Sequence, residues 1–151
     1  MGELEGASDP RMSVTIDQRF AGIDDALRAA GISPARVVLP RWNPSIGYDE
    51  GLRLLREHPD LTGMIASNDG VAMGIYQAAR DLGRRIPEDL SVVSFDNEEQ
   101  AEYLRPGLTT AHLPYTEMAE IAMEMVLGIR DLAHEVVPMP LVIRDSVRRL
   151  R

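Results

Sequence analysis

A chain of 151 residues, 44% of them hydrophobic and 26% charged, can bury the core of one globular domain and is too apolar for a disordered tail. Its apolar runs are too short to cross a bilayer, its acidic opening Met1–Gly6 lacks the form of a signal peptide, and Gly6 breaks the myristoylation pattern. Zero cysteines exclude a disulfide framework or a thiolate metal site and fit a reducing cytoplasm, while a net charge of -8 repels phosphate backbones and leaves the basic end Arg144–Arg151 as a solvated tail.

In chain order, Thr15-Ile16-Asp17-Gln18 has the form of a capping box with Thr15 as N-cap. Ile16, Phe20, Ile23, Leu27 and Ala30 then recur on one helical face up to a terminating Gly31. Arg36–Leu39 is a β-branched run stopped by Pro40. Ser45 caps a second helix whose core face is Tyr48, Leu52 and Leu55, closed before Pro59. Leu61–Ser67 reads as a strand, and Gly70–Leu82 as a helix with Val71, Ile75, Ala78 and Leu82 inward and Gly83 at its end. After a turn at Ile86–Asp89, Leu90–Phe95 is a near-continuous apolar run, the mark of a strand covered on both faces. Residues 98–104 read as one or two helical turns and Leu108–Ala111 as extended chain. Thr116–Leu132 is a long helix with Met118, Ile121, Met125, Ile129 and Leu132 on one face, and Leu141–Ile143 a last strand. This alternation with short connections predicts an α/β fold, a doubly wound parallel sheet with helices on both faces.

No stretch has the form of a nucleophile elbow, a phosphate loop, a dinucleotide loop or a paired-histidine metal helix, so no catalytic residue, metal or cofactor is expected. His58, His112 and His134 are too scattered for a metal cluster and read as surface or interface residues. Met118, Met123 and Met125 read as fillers of core and interface gaps, and Gly70-x-x-x-Gly74 as close helix packing. What remains is polar residues at strand ends, Asn68-Asp69 after one strand and Asp96-Asn97 after the next. Adjacent parallel strands bring such pairs to one sheet edge, where an uncompensated cluster costs desolvation and repulsion and calls for ligand hydroxyls or Arg19 as a partner. Helix capping is the reading for Asp69; ligand contact is the reading for Asn68 and Asp96. Trp42, in the loop Pro40–Pro44, either offers a flat face to a sugar or base or packs on the neighbouring prolines.

The segment Thr62–Thr110 resembles the effector-binding domain of the lactose-repressor/galactose-repressor family of bacterial transcription regulators. The resemblance rests on Asn68-Asp69 with Ala72-Met73-Gly74, on Leu82-Gly83, Ile86-Pro87-Glu88-Asp89 and Ser91-Val92-Val93, and on Phe95-Asp96 and Pro106 with Leu108-Thr109-Thr110. Leu141–Ser146 and Arg19-Phe20-Ala21-Gly22 extend it to roughly residues 16–147. Two positions depart from the pattern. Ser94 stands where the family usually has Gly, which would slightly crowd the sheet, and Asn97 where it often has a second Asp.

The resemblance implies one lobe of a periplasmic-binding-protein-like clamshell. Residues 1–112 would form a C-terminal subdomain, 113–134 a helix crossing to an N-terminal subdomain, and 135–151 a returning strand and tail. It places ligand contacts at Arg19, Trp42, Asn68 and Asp96, with Leu113 and Tyr115 near the hinge. Arg19 would donate in parallel to ring or vicinal oxygens, Asp96 accept from two hydroxyls, Asn68 do both, and Trp42 or Tyr115 supply an apolar face. That chemistry fits a sugar or sugar phosphate; a nucleobase is the alternative, because some relatives of this fold bind purines. A homodimer is implied through Ser45, Tyr48, Met73, Tyr76, Ala79, Tyr103 and Leu104. Met73, Tyr76 and Ala79 would form a second, mildly apolar helix face that a monomer leaves wet. The implied role is effector sensing in a cytoplasmic regulator, not an enzyme, with DNA bound only through a headpiece outside this chain and no membrane contact. The rivals are a transporter's periplasmic sugar-binding protein, which shares the fold, and a doubly wound enzyme.

Overall fold

The computed structural model describes residues 13–34, 43–131 and 135–149, in two compact units, Met1–Arg41 and Trp42–Arg151. The first unit holds helix α1 (Ser13–Ala29), on which Phe20, Ile23 and Leu27 are half-buried. The helix begins before the predicted cap, so Thr15 lies inside its first turn. Gly31 ends it as expected. At φ +69° it lets its own N–H reach Arg28 O (3.0 Å) and the Ile32 N–H reach Leu27 O (2.9 Å), a paired closure of the last turn. The predicted strand Arg36–Leu39 lies outside the described residues.

The second unit runs α2 (Pro44–Glu57), β1 (Gly63–Ile65), α3 (Asp69–Asp81), β2 (Ser91–Asp96), α4 (Glu99–Tyr103), β3 (Thr109–His112), α5 (Tyr115–Val126) and β4 (Leu141–Val142). The strands form one sheet in the order β1-β2-β3-β4. The first three are parallel, as predicted, and β4 joins antiparallel through Thr110–Val142 and Ala111–Leu141. A short antiparallel edge on an otherwise parallel sheet is common in α/β folds. β2 is not covered alike on its two faces: Val92, Ser94 and Asp96 are buried, while Ser91, Val93 and Phe95 are half-buried.

α2 starts at Pro44 because Asn43, not Ser45, is its N-cap: the Asn43 side chain accepts from Ser45 N at 2.8 Å. The helix then crosses α3 at unusually short range. A methyl group at Gly74 would lie 2.1 Å from Pro44 O and 2.4 Å from Tyr48 N, and one at Gly47 would lie 2.3 Å from Val71 O. The close packing expected of Gly74 is therefore real; it lies against Pro44, Gly47 and Tyr48 of α2, and Gly51, one turn on, packs against Ile75 and Ala78.

α3 buries Val71, Ile75 and Ala78, as the periodicity predicts, and also Tyr76 and Ala79. These last two belong to the core with Leu90, Val92, Ala101 and Leu108. Their face is thus internal to this chain rather than left wet. The Tyr76 hydroxyl donates to Pro106 O at 3.1 Å, and burial pushes its pKa up to about 12. Arg84 ties three segments together, donating to the carbonyls of Pro59, Leu61 and Asp89 at 2.8, 2.6 and 3.0 Å.

α5 stops at Val126, short of the predicted Leu132. Gly128 at φ +69° closes it, its N–H reaching Met125 O (3.2 Å) and the Ile129 N–H reaching Glu124 O (2.9 Å). No residue of α5 is buried, and Met118, Met123, Val126, Leu127 and Ile129 are exposed. Of the predicted stripe, Met118 and Ile129 are exposed and Ile121 and Met125 half-buried. Leu132 and His134 lie outside the described residues.

Candidate ligand site at the strand ends

β1 and β2 pair Ile65 with Val93, Ala66 N donates to Val93 O at 2.8 Å, and Asn68 then follows β1 at the carboxyl edge of the sheet, where Asp96 ends β2. Asn68 leaves the strand to serve the helix. Its Oδ1 accepts from Val71 N at 2.8 Å, which makes Asn68, not Asp69, the N-cap of α3. Donation from Nδ2 is the chemistry it retains for a ligand.

Asp69 has a different task. It is fully buried, and its Oδ1 accepts from Ser94 Oγ and from Thr110 Oγ1 (2.8 Å) while Oδ2 accepts from Glu98 N (2.7 Å). Ser94 and Thr110 are register partners on β2 and β3, so both hydroxyls meet one carboxylate. Ser94 therefore does not crowd the sheet; it supplies a donor to a buried anion that would otherwise be under-solvated.

Asp96 ends β2 at φ +102°, followed by Asn97 at +55°. Asparagine tolerates the left-handed region, but at Asp96 such a backbone costs of order 1–3 kcal/mol and persists only where its surroundings hold it. They do so from several sides. Leu113 N donates to Asp96 O (3.1 Å) and Asn97 N to Thr110 Oγ1 (3.2 Å), beside the Glu98–Asp69 bond. The Asn97 carboxamide accepts from Arg144 Nη2 (2.9 Å) and donates to His112 Nδ1 (3.3 Å), the latter requiring an imidazole protonated on Nε2. Asp96 itself is 7% exposed.

The sheet edge thus gathers Asn68, Asp96 and the half-buried Leu113, with Tyr115 at the start of α5 and 56% exposed. Arg19 is half-buried on α1, in the other unit, and Trp42 lies outside the described residues. Thr110, His112 and Arg144 support the edge, a role the sequence reading gave to none of them: Thr110 entered only through the family pattern, His112 as a surface or interface residue and Arg144 in a solvated tail. The signal present was the pair of threonines in the otherwise apolar run Leu108–Ala111. Of the predicted dimer residues, Ser45 is exposed, Tyr48 donates to Asp81 Oδ2 (2.9 Å), Met73 and Leu104 are half-buried, and Tyr103 is exposed with its hydroxyl donating to Glu99 (3.2 Å). Among the described residues no group of three or more His, Asp or Glu is arranged to hold a metal, and no helix is long and apolar enough to cross a membrane.

The chain matches the family model for a periplasmic binding protein-like domain over residues 5–147. It is 31% identical over 128 residues to the HTH-type transcriptional regulator MalR of Clostridium butyricum, covering 82% of this chain and 36% of that protein. Among solved structures, a dimeric Lac repressor superposes with a TM-score of 0.83 at 26% identity, covering 93% of this chain and 53% of the other. A LacI-family regulator from Arthrobacter sp. FB24, in complex with lactose, superposes at 0.78 with 28% identity, covering 86% and 50%. The chain spans about a third of the length of the curated relatives it matches. With the family match spanning residues 5–147, the chain belongs to the periplasmic binding protein-like domain family.

Proposed function

We propose that this chain is the effector-sensing part of a transcriptional regulator and binds a polyhydroxy small molecule, a sugar or sugar phosphate, at the edge formed by Asn68, Asp96, Leu113 and Tyr115. The observation that carries the reading is Asp96: a buried carboxylate on a strained backbone where β2 ends, at the carboxyl edge of the parallel strands. An acceptor for two hydroxyls beside an amide donor is the pairing a sugar needs. The lactose complex of the Arthrobacter relative supports the same ligand class.

The protein works as a binding module in the cytoplasm and not as an enzyme, in line with the regulators it matches. It acts as a homodimer, through the α2 start and α4, on which Tyr103 is exposed. A ligand that prefers a closed arrangement of two lobes shifts the population toward it and so changes DNA contact made by parts of the protein outside this chain. The exposed apolar face of α5 fits a segment that packs against a second lobe.

Calorimetry of the intact protein against glucose, galactose, lactose, maltose and ribose tests the site. Asp96→Ala should cost about 1.5–3 kcal/mol of binding energy, the range for a charged hydrogen bond. Equal binding by wild type and variant would remove Asp96 from the site.

A further inference from the structure

The geometry points to Asp69 as a positioning residue for the strand-end site. Its buried carboxylate holds the Asp96–Glu98 turn in the conformation a ligand meets, without touching the ligand itself. The inference rests on the reading of Asn68 and Asp96 as ligand contacts.

Asp69 is fully buried and its two oxygens are used unequally. Ser94 Oγ and Thr110 Oγ1 converge on Oδ1, fastening the carboxylate to the two central strands. Oδ2 is left to accept from Glu98 N at 2.7 Å. That bond falls two residues after Asp96, where the chain has just passed through positive φ at Asp96 and Asn97. A backbone in this region relaxes unless it is over-determined, and relaxation would swing the Asp96 carboxylate away from its buried place at the end of β2. The Asn97 carboxamide, gripped by Arg144 and His112, fixes the turn on one side. The Asp69–Glu98 bond fixes it on the other. Because Asp69 immediately follows the α3 cap, one dipeptide sets both the donor, Asn68, and the position of the acceptor, Asp96.

A purely structural role for a buried anion would lower stability and leave affinity alone, so the test separates the two. In the intact protein, Asp69→Ala should weaken binding of whichever sugar of that panel binds by roughly ten- to a hundredfold, the equivalent of a charge-assisted hydrogen bond. It should also speed amide exchange at Glu98 in the ligand-free protein. Asp69→Asn should recover most of the affinity, because its carboxamide oxygen still accepts from Glu98 N while both hydroxyls turn to accept from its N–H groups. Ser94→Ala removes a donor from Oδ1 and leaves Oδ2 in place, so it should lower the melting temperature with affinity and Glu98 exchange little changed. Where Asp69→Ala does not fold, the double variant Asp69→Leu, Ser94→Ala removes the carboxylate and one of its hydroxyl donors while keeping Thr110 Oγ1 as the acceptor of Asn97 N. It leaves Glu98 N unheld and should show the same weak binding and fast exchange. Wild-type affinity and wild-type Glu98 protection in either variant overturn the inference, as does a Ser94→Ala protein that binds as poorly as Asp69→Ala. Asp96→Ala tells the two readings apart: if it alone abolishes binding, only the positioning role of Asp69 falls, and if it changes nothing, the site itself is misplaced while Glu98 exchange still decides whether Asp69 holds the turn.

Discussion

Tyr76 follows Ile75 on α3 and by spacing alone sits off the core stripe, yet it is 8% exposed and its hydroxyl reaches Pro106 O at 3.1 Å. Burial raises its pKa from 10.0 to about 12, and the sign of the linkage follows. A raised folded-state pKa gives stability that is complete below the unfolded value near 10 and is lost as pH rises toward 12. The chain is suited to showing this, because all 16 of its basic side chains are arginine and no lysine titrates alongside its four tyrosines. Tyr76→Phe should cost about 1 kcal/mol at neutral pH, the value of one buried hydrogen bond. It should also flatten the decline between pH 10 and 12, as followed by urea denaturation. An alkaline limb identical to wild type would mean the hydroxyl ionises as freely in the fold as outside it. Tyr76→Glu is unsuitable as a probe of subunit contact, since it would place a charge in the core.

Glycine decides more at the level of elements. Where α2 crosses α3, the atoms nearest an added methyl at Gly74 and Gly47 are backbone, at 2.1 and 2.3 Å, and backbone cannot step aside. At Gly51 the nearest atom is the Ala78 Cβ at 3.1 Å. Chemical denaturation should therefore rank Gly74→Ala and Gly47→Ala at or above the upper end of the ~1–3 kcal/mol that overpacking costs, with Gly51→Ala well below them. On α1, an added methyl at Gly22 meets nothing within 4 Å among the described residues. Gly22→Ala should then raise helix content and stabilise by about 0.5–1 kcal/mol. A reversed order between Gly74 and Gly51 would show that the helices are not as close as described. Helix ends were legible through the same residue: Gly31 and Gly83 end α1 and α3, each at positive φ. Gly128 carried the same signal at φ +69°, but the apolar spacing of Ile129 and Leu132 beyond it read as continuing helix. A left-handed glycine with its two closing bonds outweighs a pattern that no neighbour rewards by burial.

For the molecule as a whole, the question is which apolar surface is spare. Tyr76 and Ala79 are already covered within the chain, so Tyr103, 65% exposed, is the better reporter of pairing. Sedimentation at micromolar concentration should show a dimer that Tyr103→Glu weakens; a monomer indifferent to that change would dismiss α4 as part of the contact. The exposed Met118, Met123, Val126, Leu127 and Ile129 make a second such surface on and after α5. A polypeptide of these 151 residues offers a ligand one open sheet edge, whereas pockets that hold small molecules well bury 70–90% or more of them. Its affinity for the best sugar should be millimolar, roughly -4 kcal/mol, and its net charge of -8 should deny it duplex DNA at any salt. Micromolar sugar binding by this polypeptide alone would mean that one edge completes the site.

From Pro44 onward, the order of helices and strands and the parallel centre of the sheet could be read from the chain. Each depends on local signals: apolar period, glycine stops, and polar residues where an apolar run ends. Whether Asn68 or Asp69 capped α3 could not be read, because the choice turns on partners far away in sequence. Asp69 is drawn to Ser94, Thr110 and Glu98 N, 25, 41 and 29 residues on, and only β2 and β3 lying in register brings those donors to one carboxylate. The burial of Tyr76, the meeting of Gly47 with α3 and the strain at Asp96 are of the same kind. They are set by which surfaces the folded chain presses together, and a sequence states the surfaces without stating the contacts.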